Sequence, residues 1–111
     1  MKVIYLALLW FVSLPLMAAE PVWIDVRTPQ EYNAGHLDVA INIPFGDVTE
    51  KVPEIAPEID TTIYLYCRSG NRAAIAKRSL EAAGYSRIVN IGGLEDAEKF
   101  YVEKQEQEVV H

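Results

Sequence analysis

Six residues, all β-branched or aromatic except Leu65, Thr61-Thr62-Ile63-Tyr64-Leu65-Tyr66, run straight into the polar loop Cys67-Arg68-Ser69-Gly70-Asn71-Arg72. That loop opens at once onto helix formers, with Ala73, Ala74, Ile75, Ala76, Leu80, Ala82 and Ala83 giving a face of mostly small residues. A continuous apolar strand has no polar face to offer water, so it must be covered on both sides. The rest of the chain repeats the alternation. Residues 22–26 read as a strand ending near Asp25 and Arg27. Thr28 is then an N-cap, Pro29 suits the first helical position, and Glu31 completes a capping box. The short helix runs to about Asn33 and stops at Gly35. Residues 39–43 are a second strand closed by Pro44, and residues 47–55 a weak helix limited by Pro53 and Pro57. Gly84 is placed as the C′ residue of the helix after the cysteine loop, with Tyr85 packing behind it. Residues 87–91 are a strand, Gly92-Gly93 a turn, and Leu94 to about Glu103 a last amphipathic helix. Such alternation gives an α/β domain with a mainly parallel sheet and helices on both faces. Ligands of such sheets sit at the carboxyl ends of the strands, which is where Cys67 stands.

The first 19 residues read differently. Met1-Lys2 is a positive start, residues 3–16 are apolar apart from Ser13, Pro15 breaks the run, and Met17-Ala18-Ala19 follows. This is the pattern of a secretory signal peptide, cleaved near Ala18 or Ala19. The run is shorter than the ~20 residues that span a bilayer. A periplasmic or otherwise exported protein is expected, with no stable membrane association after cleavage. The boundaries are then residues 1–19 as leader, 20–104 as the domain and 105–111 as a flexible tail. Loss of the leader removes Lys2 and no acid, so nine Lys+Arg face sixteen Asp+Glu, a net charge of −7. Nucleic acid and anionic membrane surfaces are disfavoured as partners. An anionic substrate must be drawn in by local positive charge.

Cys67 is the only cysteine. Exported proteins pair their cysteines as disulfides, so a lone one is a buried filler, an intermolecular link or a reactive thiol. Its neighbours favour the last. A short loop from strand to helix can turn successive N–H groups inward as an anion-binding nest, and the helix N-terminus adds its positive end. Arg68 and Arg72 add full charges, and Gly70 permits a backbone shape that a side chain would obstruct. All of these favour thiolate over thiol. Two separated histidines and one cysteine offer no metal constellation.

The chain from the strand at residue 22 onward resembles the rhodanese family. The likeness rests on Trp23-Ile24-Asp25-Val26-Arg27, Glu31-Tyr32, Gly35-His36-Leu37, Ala40-Ile41-Asn42-Ile43-Pro44, the Cys67 loop, Leu80 to Tyr85 and Gly92-Gly93-Leu94. With the leader, it is nearest to the small exported thiosulfate sulfurtransferases of that family. Two positions depart from the family pattern: Val39 stands where Gly is frequent, and Ala97 where an aromatic often follows the Gly-Gly turn. The resemblance implies a rhodanese-like fold around a central five-stranded, mainly parallel sheet. It also implies a cysteine persulfide intermediate and no metal or organic cofactor. Related cell-cycle phosphatases place one more residue between Cys and Arg and usually carry His before Cys. Here the Cys67 to Arg72 spacing is shorter and Tyr66 precedes Cys67, which favours sulfur over phosphoryl transfer.

The expected activity is that of a thiosulfate:cyanide-type sulfurtransferase, expected to act as a monomer. Cys67 is the nucleophile, and Arg68, Ser69, Gly70, Asn71 and Arg72 bind the substrate. The partners are a small anionic sulfur donor such as thiosulfate and a thiophilic acceptor. The alternative is a binding or sulfur-carrier module on the same fold with little turnover on free thiosulfate. Arg72, at the start of the helix, is placed to point into the pocket, whereas Arg68 can equally face solvent. Asp25 and Arg27 are read as structural, Glu31 as a cap and His36 as part of a packed turn.

Overall fold

The computed structural model describes residues 20–110. Four strands, β1 (Val22–Asp25), β2 (Ile41–Asn42), β3 (Ile63–Tyr66) and β4 (Ile88–Gly92), form one sheet in the order β2-β1-β3-β4. Every neighbouring pair is parallel. The helices are α1 (Pro29–Ala34), α2 (Val48–Ile55), α3 (Asn71–Ala82) and α4 (Leu94–Val110), with a 3-10 turn at Phe45–Asp47 before α2. The expected α/β class and parallel sheet are therefore present, with four strands and not five among the described residues. Between residues 20 and 110, all the chain outside these four runs is taken up by helices and their connections. The fifth strand came from the family likeness alone and finds no segment here.

Alternation along the strands builds two cores. Ile24, Ile63 and Leu65 pack on one face with Val48, Val52, Ala73, Ala76, Leu80 and Tyr85 from the α2 and α3 side. Trp23, Tyr64 and Tyr66 pack on the other with Leu37, Ala40 and Ala97, joined by Phe100 and Tyr101 of α4. Trp23 sits 4.5 Å from Tyr64 and 5.2 Å from Tyr101, ring centre to ring centre. Ala97 is fully buried, and the aromatic bulk on this face comes from α4 one turn later. Both faces being covered is why β3 carries no polar residue.

The local signals act as expected. The Thr28 hydroxyl accepts from the Glu31 N–H while the Glu31 carboxylate accepts from the Thr28 N–H. Gly84, at φ +106°, ends α3: its N–H donates to the Glu81 carbonyl and that of Tyr85 to the Leu80 carbonyl, the two bonds of a Schellman motif. The helix limited by Pro53 and Pro57 is short, Val48–Ile55, with Pro53 inside it. One difference is the length of α4, which continues to Val110 past the expected end near Glu103. Residues 103–108 are all Glu, Gln or Lys, and these straight-chain residues sustain helix without a core to face. The expected leader, residues 1–19, lies outside the described residues.

Candidate active site

β3 delivers Cys67 to the carboxyl edge of the sheet, as the strand pattern predicts. The Cys67 N–H donates to the Gly92 carbonyl at 2.9 Å, which fastens the start of the loop to β4. The side chain is 1% exposed. Gly70 adopts φ +96°, a left-handed shape, and α3 starts at the next residue. That turn aims the Gly70 N–H at Sγ, 2.9 Å away. Burial pushes the Cys67 thiol up, but the N–H groups of Ala73, Gly70, Ser69 and Arg72 together outweigh it and hold the thiol below its ordinary value. The nest anticipated from the loop is formed, and it extends into the first turn of α3.

Of the other loop residues, Arg68, Ser69 and Asn71 are exposed, while Gly70 and Arg72 are half-buried. Arg72 does not stand alone. Its guanidinium donates twice to the Glu31 carboxylate, at 2.8 and 3.0 Å. Glu31 is thus the predicted cap and also an ion-pair partner 41 residues away. The Arg72 guanidinium, and then the Thr28 N–H, hold the Glu31 carboxyl down at about 2. The sequence expected Arg72 to point into the pocket; its bidentate partner had no local signal.

Other residues take the structural places expected for them. Asp25 is fully buried and Arg27 nearly so. Arg27 Nε and Nη2 donate to the Asp25 carboxylate at 2.6 to 3.0 Å, and Nη2 also donates to the Gly35 carbonyl at 2.7 Å. His36 is stacked on Tyr32 at 3.5 Å between ring centres, with Nδ1 2.7 Å from the Tyr32 carbonyl, so it belongs to the α1 turn. Among the described residues no three His, Cys, Asp or Glu side chains form a metal-holding group. A groove of about 680 Å³, lined by Trp23, Val39, Ile41, Tyr64, Tyr101 and Lys104 among others, does not include Cys67 or its loop. A nest of N–H groups suits a small anion without a deep cavity.

Sequence reasoning missed the wall behind the loop. The Asn90 amide donates to the Gly70 carbonyl at 3.0 Å and accepts from the Gly92 N–H at 3.0 Å. Gly93 lies so close that a Cβ there would come within 2.5 Å of the Arg68 carbonyl oxygen. Its N–H donates to Asp96 at 2.9 Å, which caps α4. The Gly92-Gly93 turn is therefore a backing for the cysteine loop, and the glycine pair was its one visible trace.

Comparison with known proteins agrees with this geometry. The model of the rhodanese-like domain matches residues 12–99. The chain is 43% identical over 91 residues to the thiosulfate sulfurtransferase PspE of Escherichia coli, covering 82% of this chain and 86% of that protein. It is 31% identical over 68 residues to the putative sulfur carrier protein YrkF of Bacillus subtilis, covering 61% of this chain but only 36% of YrkF. A solved structure of a rhodanese with anions from E. coli superposes with a TM-score of 0.67 at 39% identity, over 69% of this chain and 91% of that one. Sheet, loop and sequence likeness thus converge, and the chain belongs to the rhodanese-like domain family.

Proposed function

We propose that this protein is a sulfurtransferase that takes a sulfane sulfur from thiosulfate onto Cys67 and passes it to a thiophilic acceptor. The observation that carries the reading is the set of backbone N–H groups turned onto a buried sulfur, which favours the thiolate. The likeness to PspE, a thiosulfate sulfurtransferase, supports the choice of donor.

In the first half-reaction the Cys67 thiolate attacks the outer sulfur of thiosulfate. A Cys67–S bond forms, the S–S bond of the donor breaks, and its electron pair leaves with sulfite. Arg68, Arg72 and the Asn71 N–H receive the sulfonate end, while the Ser69 and Gly70 N–H groups stay on the sulfur of Cys67. Two guanidinium N–H groups of Arg72 serve Glu31, and the others remain for the donor. The terminal sulfur of the persulfide carries the negative charge and takes over the nest. In the second half-reaction a nucleophile such as cyanide attacks that sulfur and the Cys67 thiolate departs. Cys67 acts without a neighbouring histidine because the nest supplies the ionised form. No metal or organic cofactor is required, and the domain acts as a monomer. Export to the periplasm, with the leader removed near Ala18 or Ala19, is part of the same proposal.

A second reading is a sulfur carrier that holds the persulfide for a protein partner, supported by the likeness to YrkF. Steady-state thiosulfate:cyanide kinetics on residues 20–111 test the two together. Parallel double-reciprocal lines, the mark of ping-pong transfer, are expected. Intersecting lines would overturn the persulfide scheme, and loading without turnover would favour the carrier.

A further inference from the structure

The β4–α4 turn touches the cysteine loop at three places. Gly92 receives the Cys67 N–H on its carbonyl. Gly93 leaves room for the Arg68 carbonyl. The third is Asn90, two residues before Gly92 in β4 and the only one of the three with a side chain. Its Nδ2 donates to the Gly70 carbonyl at 3.0 Å, and its Oδ1 accepts from the Gly92 N–H at 3.0 Å. Asn90 faces Leu65 across the sheet, and the register slips between Leu65 and Tyr66, so that Tyr66 pairs with Gly92. The irregular step is where the Asn90 amide reaches from β4 to the loop.

We propose that Asn90 is a positioning residue for the Cys67 nucleophile: it clamps the Gly70 carbonyl outward and so holds the loop in the shape that turns its N–H groups onto Sγ. The geometry has few alternatives. The Gly70 carbonyl accepts both the Asn90 amide and the Ala74 N–H at 2.9 Å. Two donors on one oxygen fix the plane of the peptide that follows Gly70. Gly70 itself, at φ +96° and ψ −13°, has no side chain to stabilise its turn, and a glycine is the residue most able to leave a strained shape. If the carbonyl is released, Gly70 can leave its left-handed φ/ψ, and its own N–H, in the preceding peptide, then loses its aim at the sulfur. Ala74 alone ties this carbonyl only to the first turn of α3. Asn90 ties it to the sheet.

The inference rests on Cys67 being the working nucleophile, but its test needs no sulfur donor. Cys67 in residues 20–111 is alkylated with iodoacetamide across a pH series, and the rate is followed by intact mass. Asn90→Ala is expected to move the inflection upward by about one pH unit toward an ordinary thiol. Tyr85→Phe removes the 2.6 Å hydrogen bond to the Ala56 carbonyl away from the loop; it is expected to lower thermal stability and leave the inflection in place. If Asn90→Ala does not fold, Asn90→Leu, similar in size and uncharged, also loses the donor to Gly70 and is expected to shift in the same direction. An unshifted profile in the folded Asn90 variant, or an equal shift in Tyr85→Phe, overturns the proposal. A shifted profile in a protein that never takes sulfur from thiosulfate would count against the transfer reading and leave the positioning role standing.

Discussion

The Glu31 carboxylate, in the first turn of α1, grips the Arg72 guanidinium, in the first turn of α3, through hydrogen bonds of 2.8 and 3.0 Å. The same carboxylate caps α1 through the Thr28 N–H at 3.0 Å. One residue therefore ties the helix after β1 to the helix that carries the nucleophile loop. Glu31 is held at about 2 when folded, against 4.5 ordinarily, chiefly by Arg72. A lowered folded value means that the unfolded chain binds the proton more readily. The stabilisation is complete above the unfolded value and is lost as pH falls from about 4.5 through about 2. The pair is partly solvated, so its worth is about 1 kcal/mol. Urea unfolding of Glu31→Gln, which preserves the cap, should show that deficit at pH 7 and none near pH 2. A deficit independent of pH would contradict the assignment.

Arg72 combines an orienting bond to Glu31 with guanidinium N–H groups left for an anion. Arg72→Ala should raise the KM for thiosulfate about tenfold, roughly 1.4 kcal/mol, with a smaller effect on kcat. Arg72→Lys keeps the charge but cannot make the bidentate pair, and should recover only part of the loss. Steady-state kinetics at fixed ionic strength decide this. Equal KM values for all three proteins would remove Arg72 from donor binding.

Asp25 and Arg27 form a buried pair, with side chains 0% and 9% exposed. Removing one partner strands the other charge away from water. Asp25→Ala should cost about 3–5 kcal/mol in urea unfolding. A loss below about 1 kcal/mol, the range of an exposed pair, would show that the pair does not bear on the fold.

Gly93 and Gly46 form a matched test of the wall behind the loop. A Cβ at Gly93 meets the Arg68 carbonyl at 2.5 Å, whereas one at Gly46 meets nothing within 4 Å. Backbone must give way at Gly93, so Gly93→Ala should cost about 1–3 kcal/mol and slow Cys67 alkylation near neutral pH. Gly46→Ala should stay within about 0.5 kcal/mol of the parent. Thermal melts and alkylation rates on the two variants check it; equal behaviour would contradict the close approach.

What the sequence made legible is local or periodic. Thr28, Pro29 and Glu31 announce α1, Gly84 announces the end of α3, and the unbroken run before Cys67 announces the central strand. The nest follows from a short polar strand-to-helix loop with Gly70 at its turn. What stayed hidden depends on register and long-range placement. Glu31 meets Arg72 only because β1 and β3 are neighbours, and a capping residue gives no sign of a second partner. Asn90 reaches Gly70 only because the β3–β4 pairing slips at Leu65/Tyr66. Nothing in a β-strand sequence predicts such a slip. The fifth strand was borrowed from the family pattern, and no run of residues in 20–110 had asked for it.

The central claim is that Cys67 accepts a sulfur atom from thiosulfate as a persulfide. Intact-mass measurement of residues 20–111, before and after incubation with thiosulfate, tests it most directly. A gain of one sulfur atom is predicted, absent in Cys67→Ser and reversed by cyanide. No gain in the parent protein, or the same gain in Cys67→Ser, would contradict it.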